Sequence, residues 1–176
     1  MDTDDFLEAV VLAERLHRQF LEFVQLELDA LRLRDINNVR AMIVLNIGRA
    51  EMTASELLWR GCYLGSNVSY NLRKLTETGY VTQSRGAHDR RVTMVRNSAK
   101  GVALCALLTE RVSGRLETLA KGGLKTEDIS TARWSLLGLQ QFCALAAGSR
   151  GAGPAQRGER GDRDGPPRPK RPGLAA

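Results

Sequence analysis

Proline is missing from the first 153 residues of this 176-residue chain; all five fall at positions 154, 166, 167, 169 and 172. Nothing in that segment therefore removes a helical N–H or clashes with a preceding turn, so long helices are favoured there. Cysteine is scarce: three, at 62, 105 and 143, are too widely spaced for a paired disulfide framework. With two histidines, at 17 and 88, no zinc-ligand spacing exists, and we expect neither metal nor cofactor. Each cysteine is read first as a small apolar filler. Long hydrophobic runs are absent as well. The best candidate, Trp134 to Ala147, is interrupted by Gln140 and Gln141 and falls short of the roughly 18 apolar residues of a membrane span. The opening MDTDDFLEAV is acidic and does not read as a signal or transit peptide. We expect a soluble cytoplasmic protein with no membrane partner. No Ser-His-Asp or Cys-His constellation and no G-x-x-x-x-G-K-[ST] loop occurs, so no enzyme is expected.

What the chain does have is positive charge in particular places. Its net +6 is unevenly spread. Residues 1–56 carry 6 basic and 11 acidic side chains, and residues 57–100 carry 8 basic and 2 acidic. Residues 101–147 carry 5 and 4, and residues 148–176 carry 7 and 3. A chain that is acidic at its start and basic in one central segment and one tail aims that charge at a polyanion. The alternative is chance clustering of solvated arginines. With 43% hydrophobic residues the length suits one well-cored domain. Seven of the 17 glycines join the prolines in 148–176, which has no apolar periodicity and is expected to be a disordered basic tail. The expected domain is 1–147.

Apolar residues recur at helical spacing from Asp4 to about Leu33, through Phe6, Val10, Ala13, His17, Phe20, Val24, Leu28 and Leu31. His17 on that stripe is expected to be packed. Leu7, Val11, Leu21 and Leu26 widen the stripe, as in a helix that also packs against a second subunit. A second helix is expected over Asp35 to Ile47, stopped by Gly48. Thr53-Ala-Ser-Glu56 fits a capping box for a short helix, Ala54 to Arg60, closed by Gly61. Cys62 to Gly65 turns, and Ser66 caps a helix running to about Thr78, with Gly79 as its stop. Strands are expected at Tyr80–Ser84 and Val92–Arg96. Ser98 caps a helix through about Ala120, Gly122-Gly123 breaks it, and Thr126 opens a last helix to about Ala147.

The stretch Gly65 to Arg96 carries the chemistry. At about 100° per residue, Val68, Leu72 and Leu75 fall on one stripe and must be the buried side of their helix. Ser66, Asn67, Ser69, Tyr70, Arg73 and Lys74 lie on the other side or at its edge. Asparagine can pair bidentately with adenine, arginine and lysine reach guanine or phosphate, and hydroxyls serve either. The alternative is an ordinary solvated polar face. A second basic element follows: Arg85, His88, Arg90 and Arg91 surround a hairpin tip where Gly86 allows a tight bend. Arginine at such a tip can enter a narrow minor groove. Asp89 is out of place against a phosphate, so we expect it to brace the wing by an ion pair with Arg91. Cys62, beside this basic segment, is a candidate redox sensor.

The order of capped short helix, Ser66-Asn-Val-Ser69, Leu72-x-x-Leu75, Gly79-Tyr-Val, Asp89-Arg-Arg91 and Ser98-x-Lys-Gly101 resembles the MarR family of bacterial winged-helix regulators, in particular an alphaproteobacterial branch. The resemblance covers roughly residues 5–147, with its specific core at 53–101. It implies a mostly α fold with a small β-hairpin wing, a DNA-binding lobe at 36–101, and dimerisation helices at 4–33 and 102–147. It also implies a homodimer on double-stranded DNA, with two helices in successive major grooves and wing arginines in flanking minor grooves. A small aromatic effector in a cleft near Phe20, Trp59 or Trp134 is a further implication. Asn97 departs from the family pattern, which has an apolar residue before the capping hydroxyl.

The expected function is a sequence-specific transcriptional regulator acting on a pseudo-palindromic operator. The competing readings are a sequence-indifferent DNA-architectural protein and a winged-helix protein-interaction module. The tail would either add non-specific affinity through counterion release or act only as a solubilising appendage.

Overall fold

The computed structural model describes residues 2–60, 65–86 and 89–146, without the side chains of Trp59, Ser66 and Leu119. The expected tail, the Gly61 stop and the Cys62 turn lie outside the described residues. The chain divides into two compact units, Met1–Leu137 and Gly138–Ala176. The fold described below belongs to the first; of the second, residues 138–146 continue a helix.

Among the described residues the elements are α1 (Thr3–Ala30), α2 (Asn38–Ile47), β1 (Glu51–Thr53), α3 (Ala54–Arg60), α4 (Gly65–Glu77), β2 (Val81–Arg85), β3 (Thr93–Asn97), α5 (Ala99–Lys121) and α6 (Thr126–Ala146). The strands form one antiparallel sheet in the order β1-β3-β2. The protein is thus mostly helical with a small sheet, and β2 and β3 form the expected hairpin wing.

α1 stops at Ala30, short of the expected Leu33. Arg32 takes the left-handed conformation at φ 57°, the Leu33 N–H reaches the Leu28 carbonyl at 3.0 Å, and the Arg32 N–H reaches that of Asp29 at 3.0 Å. That is a Schellman ending with arginine where glycine is usual. α2 begins at Asn38 and not at Asp35, because Asn37 is the cap: its side-chain oxygen accepts the Arg40 N–H at 3.0 Å. Asp35 is engaged elsewhere, accepting from Lys100 Nζ at 2.6 Å and from the Tyr80 hydroxyl at 3.0 Å. Gly48 ends α2 at φ 60°, as its position suggests.

The capping box holds. The Thr53 N–H donates to Glu56 Oε2 at 2.7 Å and the Glu56 N–H to Thr53 Oγ1 at 3.0 Å, so α3 starts at Ala54 as expected. α4 starts one residue early for the Ser66 cap: Gly65 is already helical, which puts Ser66 in the first turn. Both wing strands sit one residue later than expected. Tyr80 is a buried corner residue before β2, and β1, which no sequence signal announced, pairs Met52 with Val95.

The core lies where α1's last turns, α2, α3, α4 and the sheet meet α5, with Leu28, Val44, Leu57, Leu75, Val95 and Leu108 among its buried members. Ser98 stitches this region together. Its Oγ accepts the Gly101 N–H at 3.2 Å, capping α5, and its hydroxyl faces the carbonyls of Gly79 at 2.5 Å and Tyr80 at 3.1 Å. Asn97 proves to be a helix cap as well. Its Nδ2 donates to the carbonyls of Val44 and Gly48, both at 2.8 Å, closing the end of α2, while its buried Oδ1 has no partner. Flipping the amide would sacrifice both bonds, so the network fixes its orientation.

The core does not reach the first half of α1. Leu7, Val11, Leu12 and Leu16 are exposed, and so is His17, contrary to the expected packed histidine. No residue of α6 up to Leu137 is buried, and Trp134 is 65% exposed.

The lobe's polar cluster titrates at both ends of the pH scale. The Lys100 hydrogen bond, against the opposing effect of burial, holds the Asp35 carboxyl below its ordinary value of 3.8; burial, then the bond to Asp35, pushes Tyr80 up to about 12. A lowered acid stabilises the fold above its ordinary value, and that contribution is lost as pH falls through the folded value. A raised phenol stabilises the fold below pH 10 and loses that contribution as pH rises toward about 12. Urea unfolding should therefore show stability declining between pH 10 and about 12, with Tyr80→Phe flattening that slope. Asp35→Asn should cost roughly 0.5–1 kcal/mol at neutral pH, since the pair is partly screened by solvent. An alkaline slope unchanged in Tyr80→Phe would contradict this account.

Candidate nucleic-acid interface

α4 separates its two sides as the apolar spacing requires. Val68, Leu72 and Leu75 are buried, whereas Asn67, Ser69, Tyr70 and Arg73 are exposed and Lys74 is half-exposed. Tyr70 is 48% exposed, and the Arg73 side chain is 66% exposed. The guanidinium of Arg73 lies 5.6 Å from the centre of the Tyr70 ring, a cation–π contact. Glu77, one turn on, meets Lys74 Nζ at 2.7 Å and Arg73 Nε at 3.7 Å. The exposed side of α4 is thus a ring, a guanidinium and an ammonium in one row, with a carboxylate at its end.

The N-terminal half of α4 is tied to α2 through amides. Arg40 Nε donates to Asn71 Oδ1 at 3.3 Å, and Asn71 Nδ2 donates to the Asn67 carbonyl at 2.8 Å. Its C-terminal half is tied to the wing. Gln83 Nε2 donates to Thr76 Oγ1 at 2.8 Å and to the Leu72 carbonyl at 3.4 Å. Alternate residues of a strand share a face, so Val81, Gln83 and Arg85 point the same way, and the Gln83 bonds show that this face meets α4. Arg85, where the wing's basic tip begins, therefore lies on the α4 side of the sheet.

At the tip, Arg85 Nη1 donates to the Arg90 carbonyl at 3.4 Å, folding its side chain along the hairpin. Arg90 and Arg91 are exposed. Asp89 does not form the expected ion pair with Arg91. Its Oδ1 accepts the Arg91 backbone N–H at 2.8 Å, and its carbonyl accepts that of Val92 at 3.1 Å. An aspartate two residues before an amide closes such a turn locally, which satisfies the carboxylate without any guanidinium. Of the other expected site residues, His88 and Cys62 lie outside the described residues, and the Ser66 side chain likewise. Cys105 is half-buried with its thiol pushed up by burial, whereas Cys143 is exposed and so is no filler.

Sequence reasoning passed over Gln83, Arg40 and Glu77. Only Glu77 left a signal: with Asp89 it is one of two acids among the eight basic residues of 57–100.

A family model described as a winged helix DNA-binding domain matches residues 36–101, which run from α2 into the first turn of α5. The exopolysaccharide II synthesis transcriptional activator ExpG of Rhizobium meliloti is 36% identical over 150 residues, covering 83% of this chain and 77% of that protein. The chain belongs to the MarR-type winged-helix transcriptional regulators. The same fold occurs in Streptococcus pneumoniae FabT in complex with DNA, at a TM-score of 0.62 and 22% identity over 80% of this chain and 99% of that one. It occurs also in an E. coli MarR variant complexed with operator DNA, at a TM-score of 0.59 and 19% identity over 79% and 99%. Among the described residues of this MarR-type chain no helix is long and apolar enough to cross a membrane.

The wing of this regulator is a tight turn. A Cβ on Gly86 would lie 2.8 Å from the Asp89 carbonyl oxygen, so the backbone would have to shift to accept one. Gly86→Ala is expected to lower stability by about 1 kcal/mol in urea unfolding. A midpoint equal to that of the wild type would show that the hairpin yields freely.

Proposed function

We propose that two copies of this chain read a pseudo-palindromic operator in double-stranded DNA, with the exposed side of α4 in the major groove and the wing arginines in flanking minor grooves. The observation that carries this reading is the juxtaposition at Gln83. A helix with its apolar stripe buried and Tyr70 and Arg73 exposed is bonded to a hairpin whose basic tip begins with Arg85 on the same face. In that arrangement Asn67, Ser69, Tyr70 and Arg73 supply base contacts. Ser66, Lys74, Arg85, His88, Arg90 and Arg91 supply phosphate or minor-groove contacts. Asp89 shapes the turn that presents the arginines. The place of action is the cytoplasm, on the nucleoid.

The dimer is supported by what the core leaves uncovered. Leu7, Val11, Leu12 and Leu16 on α1, with Ile129 and Trp134 on α6, would be costly to leave in water as an apolar surface. An isologous pairing of those helices covers them and places two identical readers about one DNA turn, roughly 34 Å, apart. Light scattering at micromolar concentration should give twice the chain mass; a monomer would refute the pairing.

A small-molecule effector is supported by a cleft of about 540 Å³ between α2 and α5. Val102 and half-buried Cys105 give it an apolar wall suited to a small aromatic ring, and Arg49 and Glu110 one charge of each sign; the expected Phe20 and Trp134 do not line it.

Selection of bound sites from random duplex is expected to return an inverted repeat. In Tyr70→Ala the preference at one base position should relax by about 1–3 kcal/mol. In Arg90→Ala affinity should fall for all sequences, with the salt slope reduced by about one. Selection that returned no repeat would favour a sequence-indifferent DNA-architectural protein. Arg90→Ala without effect on any duplex would favour a protein-interaction module.

A further inference from the structure

Between residues 57 and 100 the chain sets eight basic side chains against two acidic ones, Glu77 and Asp89. Asp89 is committed to the wing turn through the Arg91 N–H. Glu77 is committed to no backbone. It faces the two cations of α4's exposed side, at 2.7 Å from Lys74 Nζ and 3.7 Å from Arg73 Nε. The hydrogen bond from Lys74, ahead of the charges of Lys74 and Arg73, keeps its carboxyl below the ordinary value.

Folding gives little reason for an acid at this position. A carboxylate in the last turn opposes the helix dipole. Base before acid is the poorer order for an i,i+4 pair. The Arg73, Lys74 and Glu77 side chains are 66%, 37% and 50% exposed, where ion pairs add little to stability. The effect of Glu77 must then be sought in what Arg73 and Lys74 do when they leave it.

We propose that Glu77 is a specificity-determining residue of the DNA-reading surface, a counter-ion that holds Arg73 and Lys74 in the free protein and weakens binding to arbitrary duplex more than binding to operator. The inference rests on the regulator reading given above. Any duplex offers phosphates, and on an arbitrary one Arg73 and Lys74 gain only by swinging off Glu77, whose own charge then faces the backbone. On the operator Lys74 still moves to a phosphate, but Arg73, set between the Glu77 carboxylate and the Tyr70 ring, reaches a base edge without leaving Glu77. Glu77 thus subtracts from the sequence-independent part of the affinity and spares the part that discriminates.

The test compares wild type, Glu77→Gln, Arg73→Ala and the double variant. Each is titrated across salt concentrations with the operator selected by wild type and with a shuffled duplex of equal length and composition. In Glu77→Gln, affinity for the shuffled duplex should rise about five- to tenfold near 0.1 M salt, with a salt slope steeper by about one. Operator affinity should rise by less than about threefold, so the preference falls. In the Arg73→Ala background the same substitution should have a smaller effect on a logarithmic scale, because one of the two held cations is gone while the closer one, Lys74, remains. Equal gains on both duplexes, or no gain on the shuffled one, overturn the role of Glu77 and leave the regulator reading standing, since wild type still prefers its operator. A wild type with no preference between the two duplexes overturns both.

Discussion

The carbonyl of Tyr80 is the point on which the lobe is assembled. It follows directly on Gly79, whose φ of 77° ends α4 and turns the chain toward the sheet. The Ser98 N–H donates to it at 2.9 Å, and the Ser98 hydroxyl lies between it, at 3.1 Å, and the Gly79 carbonyl, at 2.5 Å, so the start of β2 is fixed to the start of α5. The packing around it is close enough that Gly101 is obligatory. A Cβ there would stand 2.3 Å from that same oxygen, a separation no side chain can take. The Tyr80 side chain binds the chain a second time: its hydroxyl meets Asp35, and Lys100 Nζ lies 4.1 Å from its ring centre while bonding Asp35 at 2.6 Å. Elements far apart in sequence therefore meet within one small cluster. The wing and α4 hold a fixed relation because both leave from that cluster and are bonded again at Gln83.

That constraint explains why the basic surface can be exposed without being loose. Arg73 and Lys74 stand on a helix anchored by Leu72 and Leu75 below, by Asn71 and Arg40 at one end, and by Gln83 at the other. Long cations on such a base lose little extra freedom when they bind, because only their own rotamers remain to be ordered. Elsewhere the chain handles charge differently. Glu27 on α1 is buried and lies 3.6 Å from Arg111 Nε and 3.4 Å from Arg115 Nη2 of α5. A buried carboxylate between two arginines is chiefly a device for holding one helix against another, since its desolvation offsets much of the attraction. Glu27 is buried and fixes helices, whereas Glu77 is exposed and holds the α4 cations at the surface.

Much of this was legible because it is local. A capping box needs four consecutive residues, and Thr53 to Glu56 supplied them. The α4 stripe needs only the period of a helix. What escaped depended on distant partners. Nothing within Glu51-Met-Thr53 marks a strand; it becomes one because Met52 lies against Val95. α1 looked three residues too long because its stop is an arginine at φ 57°, a residue type that gives no warning of a left-handed turn. The expected start of α2 at Asp35 fails because Asp35 is bonded to a lysine 65 residues away, and Asn37 caps the helix instead.

Asn97 shows where the two kinds of reading part. By family pattern it is a departure, a polar residue where an apolar one is usual. Its amide instead donates to two carbonyls at the end of α2, that of Gly48 and that of Val44, which also accepts the Gly48 N–H at 3.0 Å. The cost is one buried oxygen left without a donor, against two hydrogen bonds gained. Such an exchange is favourable only if the donors are placed well, and the 2.8 Å distances show that they are. An apolar side chain would fill the same space and give up both of these bonds, so in this chain the departure from pattern belongs to the same cluster that Tyr80 holds together.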